Sequence, residues 1–161
     1  MQAAASQCTH LLTQYDRLLD GLDDTHRALA QVAGGKTAGW LIGHLVITGD
    51  FGRRLCGQPP LSPREWRATF APGTQPSTDP ATYPPMATMV DRFRAIYADL
   101  AAHAAETPAE VLAAPNPFEP TRGTFPTAGS FVEYLLTSHL AYHLGQLSGW
   151  RASHPLEQPP G

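Results

Sequence analysis

Apolar residues recur every three or four positions in four stretches of the chain, and segments rich in proline or glycine separate them. In the first stretch, about Ala3 to Val32, Leu11, Tyr15, Leu18, Leu22 and Leu29 form a stripe, while Asp16, Arg17, Asp20, Asp23 and Asp24 fall mainly outside it. That is the pattern of an amphipathic helix. Gly34 and Gly35 are expected to end it, and Thr37 is placed to cap the free amides of a second helix that runs to about Cys56. This second helix puts Trp40, Leu41, Ile47, Thr48, Phe51 and Leu55 on one face. A third spans about Pro85 to Glu106, with Met86, Met89, Val90, Phe93, Ile96, Tyr97 and Leu100 on one side and proline tolerated in its first turn. Thr107-Pro108 stops it, leaving room for one short turn over Ala109 to Ala113. The last helix, about Thr127 to Ser153, gathers Val132, Leu136, Leu147 and Trp150 in a narrow stripe. No stretch alternates as a strand would, and there is no glycine-rich phosphate loop. The expected fold is all-α, a four-helix bundle.

The connections carry as much information as the helices. Eight of the sixteen prolines lie between Gly57 and Pro85, so neither a long helix nor a central strand fits there. A connection of that length can cross the whole bundle, because a helix of about 20 residues spans only about 30 Å. Trp66 and Phe70 are expected to pin it down. A second proline-rich connection, Pro115 to Pro126, contains Phe118 and Phe125.

With 161 residues, the chain has mass for one core and is expected to be a single domain, 1–161. Its 11 Lys and Arg against 14 Asp and Glu give a net charge of -3, which argues against nucleic acid as a partner. Charged residues make up 16% and apolar ones 42%, a balance that excludes a disordered tail. The longest run free of formal charge, Tyr134 to Trp150, contains His139, His143 and Gln146, so a membrane span is not expected. The opening MQAAASQC resembles neither a secretory signal nor a lipid anchor. Two cysteines, Cys8 and Cys56, cannot form a disulfide framework, and the expected location is the cytoplasm.

Candidate chemistry lies in the seven histidines. At about 100° per residue, His139 and His143 fall within the apolar stripe of the last helix, and His44 falls among Trp40, Phe51 and Leu55 on the second. Three imidazoles directed into a bundle interior each leave nitrogens out of water, at about 1 to 3 kcal/mol per unsatisfied group. A buried hydroxyl or carbonyl would satisfy a lone one. His139 and His143, however, are spaced i, i+4, which puts two rings one turn apart within reach of one ion, and His44 from a facing helix completes a three-nitrogen site. The stripes hold no carboxylates and no paired Glu-x-x-His, so a dinuclear carboxylate centre lacks ligands.

Two segments carry a family resemblance. His139-Leu140-Ala141-Tyr142-His143-Leu144-Gly145-Gln146-Leu147 resembles the HxxxHxGQ signature of the DinB-like superfamily, and Trp40-Leu41-Ile42-Gly43-His44-Leu45 is similar to its WxxxHL segment. The superfamily includes thiol-dependent S-transferases and maleylpyruvate isomerases. The resemblance implies an up-down-down-up bundle with a long crossover between helices 2 and 3. It also implies one divalent ion on three histidines with an open coordination position, and a homodimer. Tyr142, read as lying away from the metal stripe, is the expected dimer contact.

The expected ligands are therefore His44, His139 and His143, and the expected ion is Zn²⁺ or Ni²⁺. Gln146 is placed to orient a water or a ligand imidazole, or to join two helices. His26 is a further candidate, as fourth ligand, donor to a ligand, or interfacial residue. Glu133 reads as a helix-dipole residue. Arg53, Arg54, Arg64 and Arg67 are candidates for an anionic substrate group or plain solvated charges, and His10, His103 and His154 read as solvated. Three functional readings follow: thiol transfer or addition with a low-molecular-weight thiol, metal-dependent hydrolysis, and a non-catalytic metal-binding or stress-response protein. Metal affinity is expected to fall as pH drops below about 6.5, the ordinary imidazole value.

Overall fold

A computed structural model describes residues 1–156; residues 157–161, the end of the expected domain, lie outside the described residues. The described chain is all-helical. Its helices are α1 (Gln2–Leu19), α2 (Ala38–Leu55), α3 (Trp66–Phe70), α4 (Met86–Glu106), α5 (Ala109–Leu112), α6 (Ala128–Leu136) and α7 (Ser138–Ser153). Among the described residues there is no strand, only isolated bridges at Ala30–Thr37 and Pro115–Thr127. No helix is long and apolar enough to cross a membrane.

The middle helices match the sequence pattern closely. Thr37 accepts the amide of Trp40 at 3.1 Å and starts α2, and all seven apolar residues expected on one side of α4 are buried. The first helix is shorter than its periodicity suggests. It ends at Leu19, because Asp20 turns extended and Gly21 adopts a positive φ of 72° that a side chain resists. Asp23 then accepts the amide of Thr25 at 2.8 Å and opens a 3-10 turn, Asp24–His26. Leu29, expected in the core, is 41% exposed, and Gly34–Gly35 closes a loop instead of ending a helix.

The last helix also departs from a continuous Thr127–Ser153. Thr137 breaks it at φ -125° and ψ -89°, and its hydroxyl bonds back to the Glu133 carbonyl at 2.6 Å. Val132, Leu136, Leu147 and Trp150 are nevertheless all buried.

Relative directions follow from paired contacts. Along α1, Cys8 reaches the Tyr97 carbonyl at 3.9 Å while Tyr15 packs on Phe93 at 4.8 Å, so α1 and α4 run oppositely. Thr37, capping α2, bonds Tyr83 just before α4, and Arg53 near the end of α2 bonds Asp99 late in α4, so these two run the same way. His44 packs against His139 and the later Phe51 against the earlier Phe131, so α2 opposes α6 and α7.

The connection between α2 and α4 is fastened at three places. Trp66 and Phe70 are buried, as expected, and Tyr83 is buried beside Thr37. At the α2 end, Asp50 accepts the amides of Leu61 and Ser62 and the Ser62 hydroxyl at 2.9, 3.1 and 2.6 Å. Arg53 donates to Asp50 at 3.2 Å, to Asp99 at 2.6 Å and to the Pro59 carbonyl at 2.6 Å. Both members of the Asp50–Arg53 pair are about as buried as the core, at 3% and 4% exposure. Removing Asp50 leaves the buried Arg53 with Asp99 alone and strips the Leu61 and Ser62 amides of their acceptor, so Asp50→Ala should lower unfolding free energy by about 3 kcal/mol. Urea denaturation measures this, and a loss under about 1 kcal/mol would mean the pair is not buried in solution.

Candidate metal centre

α2 carries His44 and the first turns of α7 carry His139 and His143, all three buried. One ring nitrogen from each lies within 4.8 Å of the others, and the His139 and His143 Nε2 atoms are 3.2 Å apart. The break at Thr137 immediately precedes this pair, so α7 can aim both rings at α2 independently of α6.

Two of the three rings are oriented from behind. A Cβ on Gly43 would lie 2.3 Å from the Phe70 ring; its absence lets Phe70 lie flat on α2 beside His44. The Phe70 carbonyl then accepts from His44 Nδ1 at 2.8 Å. A carbonyl can only accept, so the proton is on Nδ1 and the Nε2 lone pair is free. Gln146 does the same for His143: its Oε1 accepts from Nδ1 at 2.7 Å, while its Nε2 donates to the Tyr142 hydroxyl at 3.1 Å. This is the arrangement by which ligand imidazoles are commonly held. His139 differs, since its Nδ1 is buried with no hydrogen-bond partner among the described residues.

The surroundings keep the rings neutral. Burial, with repulsion from His143 and His44, pushes His139 down to about 2. Burial, with repulsion from His44 and Lys36 partly offset by the Gln146 hydrogen bond, pushes His143 down to about 4. His44 is lowered chiefly by burial. The Trp40 ring stacks on it, with centroids 4.7 Å apart and planes within 8°, and Lys36 Nζ sits 3.5 Å from the Trp40 ring centroid. Neutral imidazoles are the form that binds metal. Two of them have a free Nε2 by their outer hydrogen bonds, and the Nε2 atoms of His139 and His143 face each other at a distance that demands a proton or cation between lone pairs. The cluster therefore fits a divalent ion. No carboxylate joins it, so a second, carboxylate-bridged ion has no ligands among the described residues. The lowering of all three rings is in the direction that the expected loss of metal affinity below about 6.5 requires, since protons compete for the same nitrogens.

A cavity of about 470 Å³ opens on all three histidines. Its walls are largely apolar, with Ile47, Phe51, Phe118, Phe131 and Leu135; Thr48, Thr121, Tyr134 and Tyr142 supply hydroxyls, and Arg67 the one formal charge. None of the described lining residues is acidic.

The remaining candidates separate clearly. His26 is not in the cluster: its Nδ1 accepts the Asp23 amide at 3.1 Å and its ring lies T-shaped to Trp150, because the early end of α1 takes it off the helix that would have raised it to His44. Tyr142 does not lie away from the centre; it is 64% exposed but lines the cavity, its ring edge-on to His143. Glu133 pairs with the Met1 amino group at 3.4 Å instead of sitting in a first helical turn. Arg53 is committed to its ion pairs, while Arg67 reaches the cavity. His10 is exposed; His103 lies half-buried beside Asp99, and His154 half-buried on Trp150. Sequence reasoning did not find the Phe70 carbonyl, the Trp40 plate or the aromatic wall. Trp40 was within reach, being spaced i, i+4 from His44.

An all-helical chain with three buried histidines converging beside a cavity defines the class. The sequence profile of the DinB superfamily matches residues 7–147, and the chain belongs to that superfamily. Neither among curated proteins nor among solved structures is there a match to the chain.

The lowered imidazole values carry a stability consequence for the metal-free protein. Above about pH 6.5 the rings are neutral in both folded and unfolded chains, and their contribution is constant. As pH falls below that value, the unfolded chain takes up protons that the folded one refuses, so stability falls with pH. The urea midpoint should be flat from about pH 8 to 7 and decline between about 6.5 and 5. A midpoint unchanged down to pH 5 would mean that the rings charge freely within the fold.

Proposed function

We propose that the chain is a mononuclear metal enzyme of the thiol-transfer or thiol-addition type, with His44, His139 and His143 as the ligands. The observation that carries this reading is the convergence of three neutral imidazoles on an apolar cavity with no acidic lining residue. One Zn²⁺ or Ni²⁺ suits three nitrogen donors. We further propose that residues 1–161 form one domain, a four-helix bundle in up-down-down-up order with Gly57 to Pro85 as the crossover; the paired contacts of α1, α2, α4 and α7 support this.

A divalent ion supplies charge that draws a thiol proton, with an ordinary pKa near 8.5, into the neutral range. The protein residues do the rest. The Phe70 carbonyl and the Gln146 amide fix His44 and His143 with Nε2 facing inwards. Phe51, Phe118 and Phe131 exclude water and hold an apolar electrophile, and the Tyr134 and Tyr142 hydroxyls are available to orient its polar end. A thiol needs no dedicated base once its proton is acidified, whereas hydrolytic metal sites normally pair water with a Glu or Asp. The missing carboxylate therefore favours thiol chemistry over hydrolysis, and the cavity favours an enzyme over a purely structural site. Both cysteines are buried and unpaired, which suits the reducing interior proposed for the protein, the cytoplasm.

Metal analysis should find one ion per chain, and His139→Ala should abolish stoichiometric uptake. With Co²⁺ or Ni²⁺ loaded, millimolar low-molecular-weight thiol should produce a sulfur-to-metal charge-transfer band. No spectral change, together with thiol-free turnover of an ester or amide, would reassign the protein as a hydrolase; no change and no turnover would leave a metal-binding protein.

The proposed assembly is a homodimer built on a face other than that of Tyr142, since covering Tyr142 would close the cavity mouth. Light scattering at high concentration should give twice the 17.3 kDa chain mass, and a monomer mass would overturn the assignment.

A further inference from the structure

Among the described residues that line the cavity, Arg67 is the one permanent cation. Arg67 lies on α3, three residues before the Phe70 that holds His44, so both project from one short helix towards the same space. Arg27 is engaged with Asp24 and the Tyr83 carbonyl, Arg53 with Asp50 and Asp99 and the exposed Arg94 with Asp16, and none of these three lines the cavity. Arg67 has no side-chain hydrogen bond or ion pair among the described residues, and its guanidinium stays charged at any working pH. The same cavity is lined by Phe51, Phe118 and Phe131, a three-ring cluster with centroids 6.2, 5.9 and 5.9 Å apart. Such a cluster offers faces and edges to another ring.

From this pairing of one free guanidinium with an aromatic wall, we propose that the cavity takes an apolar, ring-bearing monocarboxylate, its carboxylate on Arg67 and its ring against Phe51 and Phe131. The fork of a guanidinium matches one carboxylate with two parallel hydrogen bonds. Arg67 is the one formally charged side chain among the described lining residues, so one carboxylate is the charge that the chain's own residues can pair. A volume of about 470 Å³ lies within the range of small-molecule sites. The inference rests on the reading of this cavity as the substrate side of the three-histidine centre, and it names the compound that the thiol would meet.

Binding of 2-naphthoate and its neutral isostere 2-naphthamide, measured by calorimetry on Zn²⁺-loaded and on chelator-treated protein, tests it. Naphthoate should bind wild-type protein about two- to fivefold more tightly than naphthamide, with or without the ion, as expected for a carboxylate on a solvent-exposed guanidinium. Arg67→Gln should erase that preference while leaving naphthamide affinity unchanged, Arg67→Lys should keep part of it, and Phe131→Ala should weaken both probes. Arg67 is exposed, so its two variants should retain the wild-type melting temperature, whereas Phe131 is buried and Phe131→Ala is compared at a temperature where it remains folded. A preference that survives Arg67→Gln, or that appears only with Zn²⁺, would put the carboxylate on the ion; the three-histidine reading would then stand and this proposal fall. Equal binding of the two probes to wild-type protein would also overturn it. A preference that needs Arg67 in a protein that takes up no metal would uphold the carboxylate site and sink the metal reading instead.

Discussion

The hydrogen bond from His44 to the Phe70 carbonyl joins the proline-rich connection to α2 at the histidine that meets α7. An imidazole taken out of water must place both nitrogens, and the cost of failing is comparable with a large share of a small domain's net stability. His44 meets that demand on one side with a main-chain carbonyl and directs its other nitrogen towards His139 and His143. The proline-rich connection is thus more than a span between α2 and α4. Its single helical turn supplies the carbonyl, a cavity wall and the Arg67 guanidinium, and the Asp50–Arg53 network holds its near end on α2.

The three histidines are not equally supported. His44 and His143 each donate an outer proton to an oxygen, whereas His139 has only the two other rings and apolar neighbours. Its proton has to sit on the inner or the outer nitrogen, and neither choice satisfies both. The ring is therefore the one whose state depends most on what lies between the three, which makes it the sensitive member of the group.

Much of this was legible in the sequence, for physical reasons. Helices α2 and α4 are buried along faces dense enough that periodicity alone marks their extent, and Thr37 signals its own cap. The i, i+4 pair His139 and His143 stays together despite the break, because both residues fall after Thr137. What periodicity could not reveal were events decided by single residues: Gly21 ending α1 while the leucine stripe continued, and the Thr137 hydroxyl bending back on Glu133. The Phe70 carbonyl left no mark at all, since every residue has one. Tyr142 was misplaced because angular position on a straight helix says nothing of an exposed ring that folds over its neighbour, held there by Gln146.

Because the partner of His44 is a main-chain oxygen, no side-chain replacement at position 70 deletes the acceptor itself. What holds that oxygen in place is a fit between an absent side chain at position 43 and a flat ring at position 70. The orientation of His44 therefore depends on two positions 27 residues apart as a unit: a larger residue at 43 fits this packing only alongside a smaller one at 70.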